Sequence, residues 1–198
     1  MKYIIIALCL SVFILGGCAG SSAPSKFYLL NSIAGSGADQ NIDGASAVSV
    51  GIGPIKFPEY LDRPQIVTRS GRNEMKLGEF HRWGESLKDN FARVLMENLS
   101  TLLSSDRVFI LPWRTSIPVD YQIIIDVARF DSEEDGKSIL KARWVIFSEK
   151  DKKVVALKAS RFQETASGVT VEARVEAMSK TVADFSHEIV EAIKKGSH

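Results

Sequence analysis

The chain has 198 residues, of which 45% are hydrophobic and 25% are charged, and its formal net charge is +1. This composition is typical of one globular domain with enough apolar residues for a core. The near-zero charge argues against the summed basic field of nucleic-acid-binding proteins and against a polybasic tract for anionic lipid. We therefore expect no nucleic-acid partner, and any membrane attachment must come from the N-terminus or from apolar surface.

Residues 1–17 have the features of a cleaved lipoprotein signal peptide. Lys2 precedes an apolar run over residues 3–15, which is shorter than the about 20 residues that a bilayer-spanning helix needs. The run ends in Leu-Gly-Gly-Cys at residues 15–18, where small residues precede a cysteine that can accept a diacylglyceryl group. We predict cleavage before Cys18 and lipidation of its sulfur. The alternative is an uncleaved membrane anchor with an incidental cysteine.

Cleavage at this position would define the rest of the chain. Residues 18–26 would form a short tether, and residues 27–198 a single domain of about zero net charge. The other cysteine, Cys9, would leave with the signal peptide, so the domain would have no disulfide and would depend on its core. The residue after Cys18 is Ala19, which by analogy with enterobacterial sorting predicts transfer to the outer membrane, facing the periplasm.

Two kinds of hydrophobic periodicity follow along the domain. Alternation or short apolar runs between turn residues predict strands, and these cover Phe27–Leu30, Val48–Ile55, Gln65–Arg69, Arg107–Leu111, Tyr121–Val127, Ile139–Glu149 and Lys153–Glu164. Glu74 to Phe80 is a further candidate strand, paired with residues 66–69 as a hairpin. In the last strand the alternation places Val155, Leu157 and Ala159 on one face. Ser32 to Ser46 is predicted to be a mobile loop.

Steps of three and four residues predict two amphipathic helices. The first lies within Trp83 to Leu103, and the second runs from Val171 to Ile193. The element order is roughly β-β-β-α-β-β-β-β-α. It predicts an α+β fold in which two amphipathic helices pack on one face of a mainly antiparallel sheet.

Residues suited to catalysis or metal binding are few and scattered. The three histidines, His81, His187 and His198, have no metal-ligand spacing. Gly51-Ile52-Gly53 lacks the third glycine and the helix of a dinucleotide motif, so glycines in a strand or bulge are favoured. The acidic turn at residues 133–135 could bind calcium, but it lacks the EF-hand spacing and suits a solvated turn. We expect a binding or assembly protein, with no enzymatic activity, metal or cofactor apart from the covalent lipid.

Two segments combine aromatic residues with arginine, a combination that is enriched at protein interfaces. One is Phe57–Pro64, bounded by prolines. The other is Phe80-His81-Arg82-Trp83, which is followed later by Pro112-Trp113. Either these segments form an interaction surface, or they fold back and close the ends of the core.

The same segments are similar to a known family. The motifs that agree, in chain order, are the Leu-Gly-Gly-Cys segment, Phe27-Tyr28-Leu29-Leu30, Val50-Gly51-Ile52-Gly53-Pro54, the stretch from Pro58-Glu59-Tyr60-Leu61-Asp62-Arg63-Pro64 to Val67, Glu79-Phe80-His81-Arg82-Trp83, Pro112-Trp113, and Asp120-Tyr121 leading to Arg129-Phe130. Together they resemble the PqiC/YmbA family of ABC-type transport auxiliary lipoproteins over nearly the whole mature chain.

The resemblance implies a non-enzymatic outer-membrane component of a lipid-transport system that works with an MCE-domain protein of an inner-membrane complex. It implies a role in membrane integrity, with phospholipid as possible cargo. Whether the partner is PqiB-like or belongs to an ABC-type MCE system stays open. The alternative is a structural lipoprotein that stabilises an envelope complex without touching lipid. A small-molecule-binding or enzymatic domain would need a deep pocket with clustered ionisable groups.

A tethered domain of this kind could act by closing into a homo-oligomeric ring or by docking to a tube, since heterologous contacts can close into rings. We hypothesise that Tyr60, Leu61, Arg63 and Trp83 lie at or near such a contact, because they occupy a rigid, aromatic-rich context. Substituting Tyr60 and Arg63 should then weaken assembly while leaving the melting transition nearly intact. Equal loss of both would indicate a core role.

Overall fold

The computed structural model describes residues 23–33, 48–112 and 117–196. The strands are β1 (Lys26–Tyr28), β2 (Val50–Lys56), β3 (Gln65–Arg69), β4 (Met75–Trp83), β5 (Val108–Ile110), β6 (Tyr121–Glu133), β7 (Lys137–Ser148) and β8 (Lys153–Thr165). The helices are α1 (Leu87–Leu103) and α2 (Val171–Gly196), with a short 3-10 helix at Glu59–Leu61. The predicted α+β class is confirmed, and the candidate strand at residues 74–80 forms as β4.

The long strand β6 is the centre of one eight-stranded sheet. Strand β7 pairs antiparallel with one edge of β6, and β8 pairs antiparallel with β7, so the three form a meander that agrees with the predicted antiparallel sheet. On the other edge, β2 runs parallel to the first half of β6 and β3 runs parallel to its end. Strand β5 lies beside β2, while β4 and then β1 lie beyond β3.

The sheet is mainly antiparallel, because its two longest pairings, β6 with β7 and β7 with β8, are antiparallel. Four strand pairings in the described chain are parallel. The sequence did not predict these parallel pairings. Alternation within a strand reports which face is buried, whereas the direction of pairing between distant strands depends on how the long connections cross.

Both helices lie on one face of the sheet and contact each other. Helix α2 packs over β6, β7 and β8, and α1 packs over β2 and β5. The first helix begins at Leu87, inside the predicted range of Trp83 to Leu103. Trp83 is the last residue of β4, where its amide donates to the carbonyl of Pro64 at 2.7 Å.

An aromatic cluster occupies the space between the helices and the sheet. Phe91 of α1 is fully buried, and its ring centroid lies 5.3 Å from Phe57, 5.5 Å from Phe130 and 6.2 Å from Phe185. The cluster joins the β2–β3 connection, β6 and α2 through a single side chain. Offset and edge-to-face contacts of this kind add to the free energy of burial.

The prediction that Val155, Leu157 and Ala159 share one face of β8 is wrong for the residues after Val155. The pairing of β7 with β8 shifts by one residue between Ile146 and Phe147, so Ala156 and not Leu157 faces Ile146. Leu157 is therefore 74% exposed on the outer face. A bulge reverses the facing of every residue beyond it, and strict alternation cannot reveal where it falls.

The glycines of β2 lie in an irregular strand, as predicted. The register with β6 shifts between Ile52 and Ile55. Gly53 has a φ of +132°, and a β-carbon there would lie 2.8 Å from the carbonyl oxygen of Leu111. Only glycine has both the conformational freedom and the missing side chain that this approach needs.

Several sequence predictions concern residues outside the described parts of the chain. These are the signal peptide, Cys18, most of the Ser32–Ser46 loop, Trp113 and His198. Within the described ranges, no helix has the length and apolar character needed to cross a membrane.

Candidate interaction site

The Phe57–Pro64 segment connects β2 to β3 as a tight, hydrogen-bonded loop. Its 3-10 turn is closed by the amide of Leu61, which donates to Pro58 at 3.0 Å, and by the amide of Asp62, which donates to Glu59 at 3.0 Å. Phe57 packs edge-on against Phe91 and Phe130 at one end. The segment is therefore held at its backbone and by its first side chain.

A buried carboxylate holds the middle of this loop. Asp131 of β6 has a side chain that is 0% exposed, and its Oδ2 accepts the hydroxyl of Tyr60 at 2.8 Å and Nε of Arg69 at 2.9 Å. Its Oδ1 accepts Nε of Arg129 at 2.8 Å. The Arg69 guanidinium also lies 5.3 Å from the centre of the Tyr60 ring. A buried carboxylate needs such partners, because losing water is otherwise costly.

The cluster shifts the pKa values of two of its members. Burial raises the pKa of the Tyr60 hydroxyl, and the neighbouring Asp131 carboxylate adds to the increase, while the Arg69 guanidinium opposes it. Burial lowers the pKa of Arg69, but the hydrogen bonds with Tyr60 and Asp131 outweigh that effect, so the net shift is upward. Tyr60 is therefore a neutral donor, and Arg69 stays cationic.

The four residues proposed for a contact divide into two pairs. Leu61 is 4% exposed and Trp83 is 5% exposed, so both belong to the core. Tyr60 and Arg63 are partly exposed. The prediction that these residues lie at or near a contact stays a prediction, but only Tyr60 and Arg63 have surface to offer a partner. Leu61 and Trp83 pack in the core beneath the loop. Their burial agrees with the alternative in which these segments fold back and close the ends of the core.

Sequence reasoning did not identify Asp131 or Arg69 as members of this site. No local motif marks them, and the clue appears only in the structure, where Phe130, Asp131 and Ser132 are three consecutive buried residues of β6. A strand with one wet face should alternate there, so an aspartate in an unbroken buried run indicates a polar cluster.

The acidic turn after β6 is occupied by ion pairs. Glu133 accepts from Arg129, Glu134 from Lys76 and Asp135 from Lys137. These contacts favour the solvated turn over a calcium site. In the described ranges, no cluster of three or more His, Cys, Asp or Glu side chains could hold a metal ion.

A cleft of about 850 Å³ lies beside the β2–β5 edge. Apolar side chains form much of its wall, including Pro54, Leu111, Pro112 and Val119, and Lys150 and Lys152 also line it. Its ionisable groups do not include a metal-binding or triad-like cluster among the described residues.

An α+β scaffold that holds a rigid surface loop over a buried polar cluster is suited to contact with other molecules. Comparison with known families gives the class of protein. The model of the ABC-type transport auxiliary lipoprotein component family matches residues 28–190, so the chain belongs to this family. The resemblance carried by the sequence motifs is thereby confirmed. The family is one of auxiliary transport lipoproteins and not a known enzyme family.

Solved structures show the same fold at low sequence identity. An uncharacterized protein is 14% identical with a TM-score of 0.70, covering 86% of this chain and 99% of its own. A protein from Xanthomonas campestris, assigned to the DUF330 family, is 16% identical with a TM-score of 0.66, covering 87% of this chain and 99% of its own. No curated protein sequence matches the chain.

Proposed function

We propose that this protein is a non-enzymatic, outer-membrane lipoprotein of an MCE-type intermembrane lipid-transport system. In this proposal it docks to, or extends, the periplasm-spanning conduit of an MCE-domain protein and so contributes to envelope integrity. The observation that carries the proposal is the family match over residues 28–190. The Leu-Gly-Gly-Cys segment supports it, since it places Cys18 only eight residues before β1 begins at Lys26.

The physical requirement is a shielded path for lipid. An acyl chain exposed to water costs about 0.8 kcal/mol for each methylene, so a conduit must remain closed where it meets its terminal component. A rigid loop suits such a junction, because little conformational entropy is lost when it is covered. Tyr60 and Arg63 are the residues of the proposed contact that reach the surface.

Affinity capture of the membrane-anchored protein tests the proposal. An MCE-domain protein should co-purify, and Arg63→Gln should reduce its recovery while leaving the melting transition nearly unchanged. Arg72→Gln is the matched control, because Arg72 is an exposed arginine of the β3–β4 turn. Failure to recover an MCE-domain partner from cells that express one would overturn the proposal.

Two further measurements test the lipid anchor and the contact with phospholipid separately. Mass spectrometry should find residues 1–17 removed and an acyl mass on Cys18, and an unmodified Cys18 would remove the basis for the envelope location. Extraction of the purified protein for phospholipid tests contact with cargo. An MCE partner without bound phospholipid would favour the structural lipoprotein that stabilises the complex without touching lipid.

A further inference from the structure

Four consecutive apolar or aromatic residues, Phe27-Leu30, begin the described fold, and two of them are exposed. Leu30 is 2% exposed and Tyr28 packs against the core, whereas Phe27 is 66% exposed and Leu29 is 46% exposed. A strand with one wet face normally places polar residues on that face. Strand β1 lies at the edge of the sheet, where exposed positions are normally polar. Here the exposed positions at and just after β1 are instead the apolar Phe27 and Leu29.

The register of the sheet places an arginine beside the first of these two exposed side chains. Phe27 pairs with Arg82 of β4, and Arg82 pairs with Gln65 of β3, so the three residues form one row on the outer face. Leu29 lies over Gly84, because a β-carbon at Gly84 would approach the Leu29 Cδ2 atom to 3.2 Å. Phe27 therefore lies beside Arg82, and Leu29 lies over Gly84, two residues further along the same strand edge.

A second arginine lies in the same corner. Arg63 precedes Pro64, whose carbonyl accepts the Trp83 amide next to Arg82. The Nε atoms of Arg63 and Arg82 are both buried without a hydrogen-bond partner among the described residues. The exposed Asp62 lowers the net positive charge here. Apolar contact must therefore supply most of any attraction to a bilayer, and Arg82 supplies the preference for anionic lipid.

We propose that this face, formed by Phe27, Leu29 and Arg82 and called here the anchor-side face, lies on the bilayer that holds the lipid of Cys18. The proposal rests on the anchor that the proposed function assumes. Phe27 and Leu29 would enter the headgroup region, and the Arg82 guanidinium would lie near lipid phosphates, which arginine binds well. Arg63 lies beside this face and remains available for the proposed contact with the MCE-domain protein.

We choose the bilayer as the partner of this face because the tether is short and keeps the face close to the membrane. Eight residues lie between Cys18 and Phe27, and the nine steps from one to the other span at most roughly 32 Å when fully extended, at about 3.3–3.6 Å each. A short flexible linker holds its two ends at an effective concentration near millimolar. A face that binds lipid too weakly to hold a free protein would thus be seated on the membrane once the anchor is in place. This orientation would turn the opposite edge, β8, away from the bilayer.

Fluorescence of a single probe tests the orientation. After loss of Cys9 and acylation of Cys18 the chain has no other thiol, so one added cysteine can be labelled with an environment-sensitive dye in the full lipoprotein. Leu29→Cys reports the anchor-side face, Leu157→Cys reports the outer face of β8, and Asp184→Cys reports the exposed side of α2. The vesicles are phosphatidylethanolamine mixed with phosphatidylglycerol, with phosphatidylcholine vesicles for comparison.

The dye at position 29 should shift to the blue and lose its quenching by aqueous iodide, while the dyes at 157 and 184 should remain water-like. Arg82→Gln should reduce the position-29 shift on vesicles with phosphatidylglycerol, and the control Arg143→Gln, an exposed arginine of β7, should not. The Arg82→Gln effect should be smaller on phosphatidylcholine vesicles, which carry no net charge.

Three results would overturn the inference, and they differ in whether the lipid anchor and the proposed function are also contradicted. Protein that floats with vesicles while the position-29 dye stays water-like contradicts the orientation and leaves the anchor intact. A shift that rises with protein concentration in the absence of vesicles identifies a second copy as the occupant. Protein without an acyl mass on Cys18 that does not float removes both this inference and the proposed function.

Discussion

Tyr60 and Asp131 are 71 positions apart in the chain, and the tyrosine hydroxyl donates to the aspartate Oδ2 at 2.8 Å. The bond fastens the 3-10 loop between β2 and β3 to the end of the central strand β6. The same oxygen accepts Arg69 of β3. The position of the candidate contact loop therefore depends on one buried carboxylate that no local motif marks.

Replacing that carboxylate should destabilise the fold. Asp131→Asn would remove the charge that Arg69 and Arg129 share, and we expect a loss of about 2 kcal/mol or more in the free energy of unfolding. Urea titration would measure it. Asp126→Asn, at an exposed position of the same strand, is the control and should change stability by less than about 0.5 kcal/mol. Similar values for the two variants would show that the cluster contributes little.

Truncating the centre of the aromatic cluster should be more damaging. Phe91 is fully buried among Phe57, Phe130 and Phe185, so Phe91→Ala should cost about 3–5 kcal/mol. Thermal or urea unfolding would show the change. Phe27→Ala removes the same ring from a 66% exposed site and should shift stability by less than about 0.5 kcal/mol. A mild effect at Phe91 would contradict the packing described for the core.

The two glycines Gly53 and Gly71 should respond differently to the same change. Gly53→Ala forces a β-carbon toward the Leu111 carbonyl at a positive φ, and we expect a loss of more than about 1 kcal/mol. A β-carbon at Gly71 meets nothing within 4 Å, so Gly71→Ala should be close to neutral. Comparing the urea midpoints of the two variants tests this, and equal midpoints would argue against the close approach of β2 to Leu111.

The stability of the protein at acid pH should depend on Asp120. The Ser49 hydroxyl and amide both donate to Asp120 Oδ2 at 2.7 Å, and these bonds lower the pKa of the carboxyl from its usual 3.8. Because the folded pKa lies below the unfolded one, the unfolded chain binds more protons in this window. The stabilisation is complete above about pH 4 and is lost as the pH falls through the folded pKa.

Asp120→Asn should therefore flatten the decline of unfolding free energy below about pH 4, and it should be less stable than the parent at neutral pH. Urea titrations over a pH series would give both slopes. Ser49→Ala removes only the hydroxyl donor and should give an intermediate slope. An unchanged slope in Asp120→Asn would mean that the Ser49 bonds do not couple to folding.

Local periodicity predicted much of this fold because side-chain spacing is dictated by the backbone itself. The stripe of α2 and the meander of β6, β7 and β8 follow the periods of 3.6 and 2. The family motifs were also readable in the chain, and the match over residues 28–190 agrees with them. The lipidation of Cys18 remains a prediction of the same kind, since it rests on a local segment.

Only the tertiary structure decided the features that join distant parts of the chain. The bulge that turns Leu157 outward, the parallel pairing of β2 and β3 with β6, and the burial of Leu61 and Trp83 all depend on packing between elements. Asp131 is the plainest case, because its partners come from three separate segments. An amino-acid sequence states which side chains are apolar, but which polar group is buried with partners is determined when the segments meet.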